Sequence, residues 1–97
     1  MKLTINGREY EIRYSLRMFF LYETITGEAY LGGTLYSNSV LLFSAIIAFN
    51  KDVDLTFEQF IDALDADESL LTTFNEYMTK EIENRSSHDK KKVTKAE

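Results

Sequence analysis

Cysteine is absent from this chain, which excludes disulfides and thiolate metal sites and makes a cytoplasmic protein the natural expectation. Proline is absent too, so helix ends must be set by capping side chains and glycine. There is one histidine, His88, and it lies in a polar stretch where nothing would fix its geometry for catalysis or metal binding. The serines at 37, 39, 44, 69, 86 and 87 therefore lack an ordered base to activate them. No apolar run approaches the ~20 residues of a membrane span. Val40–Phe49 is the longest and is interrupted by Ser44. The N-terminus alternates in polarity and does not read as a signal peptide. Gly32-Gly33 lacks the Lys-Ser/Thr ending of a phosphate loop. No internal repeat is visible.

What remains is 97 residues, 44% apolar and 28% charged, the composition of one soluble domain. The net charge of −5 is unevenly spread. Residues 84–97 hold five basic and two acidic groups, a net +3, and residues 1–83 hold six basic and fourteen acidic groups, a net −8. A body of that charge repels phosphate backbones, so nucleic acid is not an expected partner.

The pattern predicts an α+β domain at 1–83, with an N-terminal β-hairpin, about four α-helices, and a disordered basic tail at 84–97. Residues 2–6 and 9–14 alternate around Asn6-Gly7, a type I′ hairpin signal. A two-residue loop pairs Ile5 with Arg8, Leu3 with Tyr10 and Met1 with Ile12. One face then carries Met1, Leu3, Ile5, Tyr10, Ile12 and Tyr14, and the other sets Lys2 opposite Glu11 and Thr4 opposite Glu9. Ser15 caps a first helix, Leu16–Ile25, that stops at Gly27. Residues 28–38 read as a loop with Gly32-Gly33 as its flexible point. Ser37 or Asn38 caps a second helix ending near Phe49, apolar all round and so central. Thr56 and Gln59 have capping-box spacing, with Leu55 and Phe60 as the hydrophobic staple, for a third helix at about 57–64. Asp67 caps a fourth at about 68–83. Leu70, Leu71, Phe74, Tyr77, Met78 and Ile82 form its apolar side, and Glu76–Lys80 an i,i+4 pair on the other.

Two acidic stretches invite a metal reading. Asn50–Phe60 resembles the second half of a calcium-binding EF-hand loop. With Gln59 as last ligand, however, Val53 falls where glycine is needed. Starting at Asn50 puts Leu55 there and Ile61 at the bidentate glutamate. Asp62, Asp65, Asp67 and Glu68 read more simply as helix caps and first-turn charges. No metal, cofactor or catalytic residue is expected.

The surplus lies in the first helix. Met18, Phe19, Leu21, Tyr22 and Ile25 make a broad apolar arc toward the core. Leu16 and Phe20 fall outside it beside Glu23, with Arg17 and Thr24 completing the polar edge. Together with Tyr30, Leu31, Leu35 and Tyr36 in the following loop, Leu16, Phe20 and Glu23 are the candidate partner-binding residues, since apolar patches rimmed by charge mark interaction sites.

The hairpin, a helix containing FFLYETITGE, an apolar helix at Val40–Phe49 and a DLTFEQFIDAL segment resemble the tail assembly chaperones of long-tailed bacteriophages and prophages over roughly residues 2–83. The chain departs from that family in its unusually aromatic first helix and its longer glycine-bearing loop. The resemblance implies a non-enzymatic protein in the cytoplasm of a bacterial host. Such a protein coats the tape measure protein, recruits tail tube subunits and is often also made in a longer frameshifted form. Lys90-Lys91-Lys92 is compatible with a slippery codon string, and as a protein segment reads as a solubilising tail. A small regulatory or adaptor protein, antitoxin-like or for host takeover, stands as the other reading. A dimer or ring fits the apolar surplus as well as a client groove does.

Overall fold

The computed structural model describes the backbone of residues 1–96 and the side chains of residues 1–85. The sequence expectations for His88 and Lys90-Lys91-Lys92 lie outside the described side chains.

Strands β1 (Lys2–Ile5) and β2 (Arg8–Glu11) form an antiparallel hairpin. Its turn places Asn6 at φ 51° and Gly7 at φ 80°, the left-handed values a two-residue I′ turn needs. The register is the expected one, Ile5 with Arg8, Leu3 with Tyr10, and Lys2 with Glu11. Beyond the ladder, Met1 and Ile12 exchange backbone hydrogen bonds at 2.8 and 3.0 Å. Leu3, Ile5, Tyr10 and Ile12 are buried. On the solvent face Lys2 reaches diagonally to Glu9 at 3.6 Å.

Helix α1 (Leu16–Thr26) is capped by Ser15, whose side chain accepts from the Arg17 N–H, and stopped by Gly27 in the left-handed conformation. Helix α2 (Leu35–Phe49) starts earlier than expected. Thr34, not Ser37 or Asn38, is its cap, and Ser37 returns the bond to the Thr34 N–H. The expected loop 28–38 is shortened accordingly, and Leu35 and Tyr36 belong to the first helical turn. Val40, Leu41, Leu42, Ala45 and Ile46 are buried. Ser44 is buried with them, its hydroxyl donating to the Val40 carbonyl at 2.8 Å, so the polar group costs little there.

Asn50 ends α2 and joins it to the hairpin. Its Nδ2 donates to the carbonyls of Ile46 and Glu11, both at 2.9 Å, and its Oδ1 accepts from the Glu11 N–H at 3.0 Å. Arg8 clamps the same junction by donating to the carbonyls of Lys51 and Asp52. The stretch that mimicked a calcium loop thus has two of its backbone oxygens engaged by a guanidinium.

Helix α3 (Phe57–Ala66) runs two residues beyond the expected 57–64, through Asp65 and Ala66. Its predicted capping box forms between Thr56 and Gln59, and Leu55 and Phe60 are buried beside it. Asp67 turns the chain and accepts from the Ser69 N–H at 3.1 Å, opening α4 (Ser69–Ala96). The helix runs on through Asn84 and Arg85, beyond the expected end at 83, and the disordered tail expected from 84 lies, from residue 86 on, outside the described side chains. The i,i+4 ion pair formed in α4 among the described residues is Glu81–Arg85 at 3.8 Å, in place of the expected Glu76–Lys80.

Leu70, Phe74 and Met78 point α4 into the core. The Tyr77 hydroxyl accepts from the Tyr14 N–H at 3.1 Å, and the Arg85 guanidinium lies 4.4 Å from the Tyr14 ring centre. Both contacts tie α4 to the exit of the hairpin. Buried residues from Leu3 to Met78 form one cluster. No helix among the described residues is long and apolar enough to cross a membrane.

Candidate protein-binding surface

Helix α1 has two faces of unlike fate. Met18 and Tyr22, one turn apart, are buried, and Phe19 and Leu21 are half-buried on either side. On the opposite face Leu16 is 69% exposed and Phe20 60% exposed. Glu23 continues the exposed strip toward the C-terminal end, and Arg17 flanks it. Two large apolar side chains at i,i+4 therefore stand uncovered between a cation and an anion.

Tyr30 sits elsewhere. Its ring meets Tyr22 edge-on at 5.3 Å and Phe19 at 5.7 Å, and its hydroxyl donates to Asn38 Oδ1 at 2.6 Å. Burial, and secondarily the neighbouring Tyr22, pushes the phenol above its ordinary value. Gly32, at φ +75°, passes so close that an added Cβ would lie 3.3 Å from the Tyr30 hydroxyl. Tyr30 is thus the anchor that holds the loop against α1 and α2.

With Tyr30 turned inward, its neighbour Leu31 turns outward and is 92% exposed. Leu31, Tyr36 and Ile25 line a hollow of about 480 Å³ at the junction of α1, the loop and α2, with Thr26 and Glu28 at its edge. Ile25 was expected in the core arc but is 47% exposed. It occupies the last turn of α1, where the hollow leaves it without a covering neighbour. At about 100° per residue, Ile25 lies half a turn around the helix from Leu16. The α1 strip and the hollow are therefore two surfaces, not the single groove the sequence pattern implied.

Leu35 belongs to neither. Although 76% exposed, it faces a separate groove bounded by α3 and α4. The seven candidates thus divide into the strip Leu16, Phe20 and Glu23, the hollow residues Leu31 and Tyr36, the anchor Tyr30, and Leu35 apart. Sequence reasoning missed Ile25, which shares the helical phase of the core arc. The groove residues Ile61, Leu64 and Leu71 were equally hard to single out, being half-buried members of amphipathic helices. These surfaces offer apolar and aromatic contact bordered by charge, which is the chemistry of protein recognition. No protein-family model matches this chain, and no curated protein or solved structure does.

Proposed function

We propose that this chain is a non-enzymatic assembly chaperone of a phage or prophage tail, binding the tape measure protein and helping to recruit tail tube subunits. The observation that carries the reading is the strip on α1, where Leu16 and Phe20 stay exposed although the core beneath is closed. Each is already partly buried, so covering the rest contributes about 1–2 kcal/mol of transfer free energy per residue, part of which offsets the cost of association. A long helical client with a repeating apolar face presents many equivalent segments, so several copies bind along its length by helix-to-surface contacts. The hollow at Ile25, Leu31 and Tyr36 provides a second contact for tail tube subunits. Residue motifs resembling the tail chaperones support the reading.

Co-expression with a phage tape measure protein is the test. The expected result is a soluble complex that is lost with Phe20→Ser, while the variant keeps its fold, with a change in stability within about 0.5 kcal/mol because the position is exposed. An unchanged, insoluble client and no recoverable complex would reject the chaperone reading. A toxin gene alongside, with binding to its globular product, would favour the adaptor reading instead.

A further inference from the structure

The groove at Leu35 has a character of its own. Its apolar floor is formed by Leu35 on α2, Ile61 and Leu64 on α3, and Leu71 on α4, the polar Ser39, Thr72 and Asn75 complete its walls, and the groove is open, with a volume of about 430 Å³. That volume falls within the ~300–1,000 Å³ of ligand-binding clefts. The last turn of α3 places Asp65, and the turn that follows it Glu68, on the lining of the groove. Neither carboxylate takes part in an ion pair among the described residues. The surrounding sequence deepens the asymmetry. Residues 52–79 contain eight Asp and Glu and no Lys or Arg, so no cation of this segment neutralises the rim.

An apolar floor with a one-signed acidic rim selects its occupant by charge. A nucleic acid or an anionic lipid surface is repelled. An acidic helix would bring like charges together on desolvation, which costs several kcal/mol. We infer that the groove between α2, α3 and α4 docks a basic amphipathic helix of a partner protein. Its Leu- or Ile-type residues at i, i+3 and i+4 fill the floor, and its flanking Lys or Arg meet Asp65 and Glu68. The inference does not rest on the α1 strip or on the identity of any client.

Two model peptides of about 14 residues, roughly four helical turns, test it. Both carry leucine at i, i+3, i+4 and i+7, one with lysine and the other with glutamate at the remaining positions. Binding is followed by backbone amide shifts of the ¹⁵N-labelled full chain and by fluorescence anisotropy at physiological salt. The leucine–lysine peptide is expected to shift residues around Leu35, Ile61, Leu64 and Leu71. Its affinity should fall about tenfold or more in Leu35→Ser and in the double variant Asp65→Lys, Glu68→Lys, and stay unchanged in Phe20→Ser. The double variant should gain binding to the leucine–glutamate peptide. All four substituted side chains are exposed, and amide shift dispersion verifies that each variant is folded. Equal binding of both peptides, shifts centred elsewhere, or indifference to Leu35→Ser and the charge reversal would overturn the inference. So would concentration-dependent self-association that Leu35→Ser abolishes, which would assign the groove to a second copy.

Discussion

Tyr30 and Phe20 are both aromatic residues singled out by their neighbourhood in the sequence, yet they do opposite things. Phe20 lies on the outward meridian of a helix whose inward meridian is Met18 and Tyr22, and wheel geometry alone separates it from the core. Tyr30 lies in a loop without periodicity, and its role emerges only from its partners in space, the Tyr22 ring and Asn38 Oδ1. A titration follows. Its phenol is held above the ordinary value near 10 by burial, then by Tyr22. As pH rises past about 10, the unfolded chain releases this proton while the folded chain retains it. The stability Tyr30 supplies is therefore full below that pH and is lost as pH climbs through the folded value. Melting temperatures of Tyr30→Phe against the parent should show a shallower alkaline decline in the variant. At neutral pH the variant should be less stable by about 1 kcal/mol for the missing hydrogen bond. An alkaline limb of equal slope in both proteins would contradict the assignment.

Among the elements, the hairpin was the most legible because its turn residues, register and face polarity are all local and agree with one another. The start of α2 was the least. A capping box is usually recognised by Glu or Gln three residues after the cap. Here Ser37 takes that position, so Thr34 carried no signature and the boundary slid to the next plausible caps. Thr34→Ala should destabilise the domain by about 1 kcal/mol, measured as a lowered denaturation midpoint at unchanged slope. A variant with the parent's midpoint would mean that α2 is held by packing alone. The split among the candidate residues has a related cause. Moving the helix start back to Leu35 puts Leu35 and Tyr36 on successive positions of a helix, about 100° apart. They line different hollows, Leu35 the groove bounded by α3 and α4 and Tyr36 the one beside Ile25 and Leu31.

For the molecule as a whole, the ion pairs formed among the described residues are Lys2–Glu9, Arg13–Glu11 and Glu81–Arg85, each with at least one largely exposed side chain. Such pairs contribute about 0–1 kcal/mol apiece, too little to offset self-repulsion in a body at −8. Raising the salt concentration from low to roughly physiological levels, where the screening length falls to about 8 Å, should therefore raise the melting temperature in calorimetry. A fall would show that the favourable pairs dominate. One contact also bears on how copies of the chain avoid each other. In the hairpin, Tyr10 and Ile12 turn their backbone groups toward β1 and its continuation, so Glu11 turns its own outward, along the free margin of β2. Asn50 pairs with both the N–H and the carbonyl of Glu11, taking the place a neighbouring strand would occupy. An amide side chain thus serves as a one-residue substitute for a third strand and denies that margin to another hairpin. Asn50→Ala should leave a folded protein that aggregates faster on mild heating, seen as earlier light scattering and thioflavin fluorescence. In this protein, resistance to sheet-by-sheet aggregation is vested in the side chain that also terminates a helix.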